Sequence, residues 1–494
     1  MNRKLKNFGL IASGALAGVL ISVAISAIAQ REPRATLPLD DLRQFSDVFG
    51  AIKKNYVEPV EDRKLFTSAI SGMLAGLDPH SSYLDADAFN DLQVGTQGEF
   101  GGLGIEVNSE DGFVKVVSPI EDTPAARAGI KSGDLIIKID KESTKGMSLN
   151  DAVKRMRGKP KTQITLTVAR KGETKPLVFV IVREVIRVQS VKSKMLDGGI
   201  GYLRVTQFQE HTAENVGKSL ATMTQGGALK GLVLDLRNDP GGLLHSAIGV
   251  SAAFLPAGQV VVSTKGRTED AKREYIASPE DYMRGTGDDF VRKLPASVLT
   301  VPMVVLVNAG SASASEIVAG ALQDHKRAVL LGTQTFGKGS VQSILPLANN
   351  TAIKLTTARY YTPSGRSIQA TGIVPDFVVE ETANGDSPGF QLREADLGRH
   401  LLNDQERAAA AGAAASTSAS VAPKTGDEPH GNDKAPRKPV TFGSADDYQL
   451  AQALNYLKGK PVAVAHPEPD PAAAAAPGTA AGAVTGAGAT KPKK

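Results

Sequence analysis

The 494-residue chain has no cysteine, which removes disulfides, thiolate catalysis and Cys-ligated zinc at once. It has no tryptophan, and aromatic residues make up only 5%, but 41% apolar residues are enough to build cores. Its seven histidines lie far apart, and none forms an H-x-x-x-H or H-E-x-x-H pair. No metal site and no cofactor are therefore expected. No large excess of one charge is present either. The formal charge of +5 comes from 57 basic and 52 acidic residues scattered along the chain, so no nucleic-acid partner is suggested.

The N-terminus sets the compartment. Arg3, Lys4 and Lys6 precede an uncharged run from Phe8 to Ala29, which ends Ala27-Ile28-Ala29. That end fits the A-x-A pattern of a signal-peptidase site, and the run is also long enough to span a bilayer. Cleaved signal and retained anchor both stay open. Either way the rest of the chain is exported, to the periplasm or cell envelope. Residues 8–29 associate it with the inner membrane if they are not cleaved.

Beyond that, three patterns follow one another. Leu42, Phe45, Val48, Phe49 and Ile52 recur at helical spacing, and a second helix is expected over about 64–77, stopping at Asp78-Pro79. Nothing chemical stands out there. From residue 98 the period changes to short strand-like runs: Val114-Lys115-Val116, Leu135–Ile139 and the alternating Ile164–Val168. One amphipathic helix, with Leu149, Ala152, Val153 and Met156 on a face, interrupts them. From 198 to 380 strands alternate with helices, as in α/β folds. From about Asn384 the pattern is lost. Residues 408–440 and 464–494 are Ala-, Gly- and Pro-rich, and disorder is expected there, apart from a helix near 446–457.

Two strand–turn–helix units and one loop carry candidate chemistry. In Gly310-Ser-Ala-Ser-Ala-Ser-Glu316, Ser313 and Glu316 spell a capping box. The same Ser313 at a helix N-terminus is also a candidate nucleophile, because free N–H groups and the helix dipole favour an oxyanion there. In Asp239-Pro240-Gly241-Gly242, glycine lets a backbone N–H approach a substrate, and an ordinary Gly-rich turn reads the same way. A nucleophilic serine needs a base. His245 and His325 offer nothing clear. Lys338, between Gly337 and Gly339, is either a surface turn lysine or, if buried, an amine neutral enough to accept a proton. Gln342 lies four residues on and could orient it. Gly332–Lys338 nearly spells a P-loop, but Gly339 stands where Ser or Thr is required, and extended chain follows where a helix is needed.

Taken in order, these segments resemble the carboxyl-terminal processing (tail-specific) proteases over roughly residues 37–380. The resemblance rests on Leu77-Asp-Pro-His-Ser-Ser-Tyr83, Phe100-Gly-Gly-Leu-Gly-Ile105, Gly133-Asp-Leu-Ile136, Ile200-Gly-Tyr-Leu203, Asp235-Leu-Arg-Asn-Asp-Pro-Gly-Gly242, Ser311-Ala-Ser-Ala-Ser-Glu-Ile317 and Phe336-Gly-Lys-Gly339. It implies an α/β multidomain protein: a ClpP/crotonase-like α/β protease core with an inserted PDZ domain and an N-terminal helical region. The implied layout is signal or anchor at 1–29, helical region at 36–97, PDZ domain at 98–186, serine protease core at 187–382 and low-complexity tail at 383–494.

The resemblance also assigns roles. Ser313 matches the nucleophile, Lys338 the base and Gln342 the residue that orients the lysine. The N–H groups of Gly242 and Ala314 match the oxyanion hole, and Ser311 and Ser315 remain turn and cap residues. Gly102, Leu103, Gly104 and Ile105 match the loop that holds a peptide's terminal carboxylate, with Leu149 and Val153 lining its side-chain pocket. The expected partners are protein substrates with free apolar C-terminal tails, and an adaptor or lipoprotein partner is left open. The expected activity is an exported Ser–Lys(–Gln) endopeptidase. Two rivals are a catalytically silent PDZ adaptor delivering tails to another protease and a crotonase-like enzyme acting on small thioesters.

Overall fold

The computed structural model describes residues 38–110, 112–120, 122–285, 287–383, 392–414 and 442–464. The expected signal or anchor and most of the Ala/Pro-rich tail lie outside the described residues. Among those described, no helix is long and apolar enough to cross a membrane. The chain divides into two units, one ending at Met73 and one beginning at Leu74. In the first, the helix Leu39–Asn55 carries Asp40 and Asp41 in its first turn and Lys53 and Lys54 in its last, complementing the helix dipole. Its Phe49 stacks on Phe66 with ring centroids 4.9 Å apart.

In the second unit the alternating runs form a small antiparallel sheet. Its order is Ile105–Glu110, Phe113–Pro119, Leu135–Ile139, Gln163–Ala169 and Leu177–Val182. The strand Gln163–Ala169 buries Ile164, Leu166 and Val168 and turns the residues between them outward, as a half-covered strand must. The helix Leu149–Met156, capped by Ser148 on the Asp151 N–H, packs Ala152 and Met156 onto the same core. Glu99–Gly102 pairs antiparallel with Glu184–Arg187, so the chain enters and leaves this sheet side by side, as an inserted domain requires.

Gly231–Asp235 and Met303–Val307 are buried at every position. Unbroken apolar strands of this kind need cover on both faces. They sit in the middle of a six-stranded sheet ordered Val191–Leu196, Ile200–Val205, Gly231–Asp235, Met303–Val307, Val329–Gly332 and Phe377–Val378. The first pair is antiparallel and the rest are parallel. Leu232, Leu234, Val305 and Val307 point to one face, against the helices Thr212–Thr224, Leu244–Ala252 and Ala314–Asp324. Val233, Val304 and Leu306 point to the other, against Leu450 and Ala453 of the helix Tyr448–Leu457. Truncating a residue such as Leu234 to Ala would cost about 2–5 kcal/mol.

The helix expected near 446–457 within the 383–494 tail is present as Tyr448–Leu457, and described parts of that stretch pack into the second unit. Glu394 is fully buried, and residues 442–464 cover one face of the central sheet. The helix could be read from the sequence, but its packing onto the sheet could not, because its anchors are few and low-complexity residues surround it. Residues Asp404–Ala414 form a helix where loss of pattern was expected, because alanine favours helix without any apolar stripe. A third sheet completes the unit. Thr351–Tyr361 pairs antiparallel with Ser82–Leu84, Ser340–Leu347 and Val260–Gly266, and Val260–Gly266 pairs with Arg273–Ile276.

Candidate active site

Ser313 stands between the strand Met303–Val307 and the helix Ala314–Asp324, with φ 56° and ψ −111°. A non-glycine residue at positive φ persists only where its surroundings impose it. Here they do. Ser311 Oγ donates to Leu236 O at 2.8 Å and accepts the Asn308 N–H at 3.0 Å. Ser315 Oγ donates to Asp239 O at 2.9 Å, and Ala312 N donates to the same oxygen at 3.0 Å. The two outer serines of the motif thus fasten the turn, and the middle one is presented at the positive end of an 11-residue helix.

The Gly241–Gly242 turn is pressed against this loop. A methyl on Gly241 would lie 2.6 Å from Ala312 O, 2.8 Å from Ala314 N and 2.9 Å from Ser313 Cβ. One on Gly242 would lie 2.1 Å from Phe208 O, and both glycines have positive φ. The two expected oxyanion donors, Gly242 and Ala314, therefore belong to adjoining turns. Asp239 Oδ1 accepts the Gly241 N–H at 2.9 Å, while its Oδ2 is buried without a hydrogen-bond partner. Burial pushes this carboxyl up to about 7. Beneath the turn, Arg237 grips Asp235 at 2.7 and 2.9 Å and Asp447 at 2.6 and 2.8 Å.

Lys338 lies in the loop between Val329–Gly332 and Ser340–Leu347. Its Nζ makes no hydrogen bond or ion pair among the described residues. Burial, and then the charge of Lys354, hold it below the ordinary lysine value, against the pull of Glu394, Glu316 and Asp78. No hydrogen bond joins it to Ser313 Oγ. What joins the two loops is Glu316. Its fully buried Oε2 accepts the Ser313 N–H at 2.8 Å and the Lys338 N–H at 2.9 Å. Its Oε1 accepts the Gly337 N–H at 2.7 Å and Thr335 Oγ1 at 2.5 Å. Burial pushes this carboxyl up to about 7, although all four bonds oppose the shift. The sequence offered Glu316 only as a cap, three residues from Ser313.

Gln342 is not brought onto Lys338. Its Nε2 donates to Ser340 Oγ at 2.9 Å and to Thr356 Oγ1 at 3.4 Å. In the small sheet, Gly102, Leu103, Gly104, Ile105 and Val153 line one cavity of about 120 Å³, together with Phe100, Val107, Met156 and Arg157. Gly104 has φ 77°. Leu149 packs on the sheet's core and is not a wall of that cavity. Asp239 lies within the Asp235–Gly242 motif but was given no role there, and Asp447 carries no recognisable spacing to Ser313 or Lys338.

Residues 199–379 match the model of peptidase family S41, residues 115–170 a PDZ domain, and residues 18–88 an activating protease CtpB N-terminal domain. A carboxy-terminal-processing protease of Bartonella bacilliformis is 45% identical over 463 residues, covering 92% of this chain and 97% of the relative. A carboxyl-terminal-processing protease of Synechocystis is 34% identical, covering 77% of this chain and 89% of the relative. The carboxy-terminal processing protease CtpA of Bacillus subtilis is also 34% identical, covering 77% of this chain and 78% of the relative.

Proposed function

This chain belongs to the carboxy-terminal processing proteases of peptidase family S41, with a PDZ domain, and on that premise we propose that it is an exported endopeptidase using Ser313 and Lys338. The neutral Lys338 amine takes the proton of Ser313 Oγ as that oxygen attacks the substrate's peptide carbonyl. The Gly242 and Ala314 N–H groups receive the oxyanion. Lys338 then gives its proton to the leaving amine, and water releases the acyl-enzyme. The observation that carries this reading is Glu316, which fixes the backbone of the nucleophile and of the base on one oxygen while the lysine amine stays buried and unpaired. The Ser313–Lys338 bond closes only with substrate in place, as catalytic bonds often do. Gln342 then exchanges Ser340 for the lysine.

The cavity at Gly102–Ile105 receives the free carboxylate and last apolar side chain of a protein substrate, which adds as a strand beside Ile105–Glu110. Cleavage follows upstream of the captured end. The uncharged run at 8–29 directs the chain to the cell envelope, cleaved or anchored. The test incubates the full chain with an unfolded protein ending in an apolar tail, and with the same protein ending in a carboxamide. Mass spectrometry of the fragments should show cleavage of the first, little of the second, and none of either by Ser313→Ala or Lys338→Ala. Equal cleavage of both ends would remove the tail-capture reading, and an active Lys338→Ala would remove the base.

A further inference from the structure

The Leu77–Tyr83 motif supplies none of the groups used above, yet it reaches the loop that carries Lys338. Asp78 folds the motif on itself. Its Oδ1 accepts the N–H groups of His80 and Ser81, each at 2.9 Å, and its Oδ2 accepts Ser81 Oγ at 2.7 Å. Burial would push this carboxyl up, but the bonds it receives outweigh that and hold it below the usual carboxylate range. His80 is thereby fixed at the backbone. Its imidazole Nε2 lies 2.7 Å from Oε2 of the fully buried Glu394.

Glu394 holds the base loop on both sides of Lys338. Its own N–H donates to Phe336 O at 3.0 Å. Its Oε1 accepts Gln369 Nε2 at 2.8 Å, and Gln369 Oε1 in turn accepts the Gly339 N–H at 3.1 Å. The loop is also held by Glu316 and by backbone bonds from the Ala370 N–H to Gly337 O at 2.8 Å and from the Tyr360 N–H to Gly339 O at 2.7 Å. Gly337 and Gly339 carry no side chains, and their bareness lets it thread close to residues 369–372: a methyl on Gly339 would lie 2.3 Å from Gln369 N. Gln369 and Glu394 therefore meet on one short segment, and His80 reaches it through Glu394.

We propose that His80 and Glu394 are positioning residues for Lys338: Glu394 clamps the loop on either side of the base, and His80 clamps Glu394. This rests on Lys338 being the base. The charged groups facing its amine are Lys354 from the neighbouring strand, Glu394, Glu316 and Asp78. Glu394 favours the ammonium form. The imidazole that faces Glu394 spreads its negative charge, so it also limits that pull. Losing His80 should loosen the loop and leave the lysine harder to deprotonate. Losing the Glu394 charge while keeping its shape should make it easier.

The experiment measures kcat and KM for a tail-bearing peptide substrate from pH 5.5 to 10, using the full chain. Wild type is compared with His80→Ala, His80→Gln, Glu394→Gln and, as control, Lys338→Ala. His80→Ala should lower kcat about 10- to 100-fold with little change in KM, and move the rising limb of kcat upward by roughly half to one pH unit. His80→Gln, which keeps an N–H at similar reach, should recover most of kcat. Glu394→Gln should move the limb downward, and being isosteric it keeps the test open if His80→Ala melts early. Limbs that superimpose on wild type in both variants, or a loss confined to KM, would overturn the positioning. An active Lys338→Ala would instead overturn the base assignment beneath it.

Discussion

The turn that presents Ser313 and the loop that presents Lys338 are held in different ways. Ser313 is fastened mainly by its own motif and by the strand next door. Ser311 and Ser315 peg the turn to Leu236 and Asp239, and Asn308 Oδ1 caps the Asn238 and Gly310 N–H groups at 2.9 and 3.0 Å. Lys338 has no such local pegs. Its loop is held by Glu316, Gln369 and Glu394, and through Glu394 by His80. The backbone of Ser313, the proposed nucleophile, is held at positive φ by short bonds from adjacent residues. The proposed base, Lys338, is buried by groups from several elements.

The nucleophile side stands on a foundation that can be broken alone. Asp447→Ala leaves Arg237 buried with one carboxylate partner fewer, and removing one member of a buried ion pair costs about 3–5 kcal/mol. Urea unfolding should show that loss. A midpoint equal to wild type would mean that residues 442–464 are not part of the core.

Glu316 is where the two sides meet, so its alteration should harm both. Glu316→Gln replaces one of two fully used acceptor oxygens with a donor facing N–H groups. A fall in kcat of about 10- to 100-fold is expected from the displaced geometry. A variant with wild-type kcat would show that the loops hold each other without it.

Asp239 sharpens the comparison by pH. Burial raises its carboxyl from 3.8 to about 7, so the folded state favours the protonated form. The stability it contributes is full below about pH 4 and is lost as pH rises through about 7. Asp239→Asn has no such loss. Its stability relative to wild type should climb between pH 4 and 8, by an amount on the order of a few kcal/mol. Parallel stability curves would contradict this. The smallest effect should come from Lys154→Ala, which removes an exposed ion pair with Asp87 at 2.7 Å, on the small sheet's helix. Melting and cleavage should match wild type within error, and a lost activity would give this surface a role in coupling the two domains.

How much of this was legible follows the same contrast. The strand–turn–helix around Ser313 could be read from its serines, and the small sheet from its period of two, because both are local patterns. The closeness of Gly241–Gly242 to Ala314 followed only from the resemblance. Glu316 was visible as a cap, but not as the bond between two loops, since its second set of partners lies 19 to 22 residues on. His80 sat in a stretch without apparent chemistry, Asp447 at the start of an expected helix of no assigned role, and Glu394 in what read as tail. Their partners are set by tertiary packing, which no spacing along the chain records. Leu149 and Val153, which the resemblance put on one pocket wall, both pack on the core of the small sheet, and Val153 also lines its cavity.

On the proposed mechanism, Lys338 deprotonates Ser313. The most direct measurement is the rate at which a fluorophosphonate labels the full chain as pH is raised, with the modified residue located by mass spectrometry. The account predicts a label on Ser313 whose rate rises with pH along a limb below the ordinary lysine value of 10.5, and no appreciable label in Lys338→Ala. A label elsewhere, or one on Ser313 that forms as fast without Lys338, would contradict it.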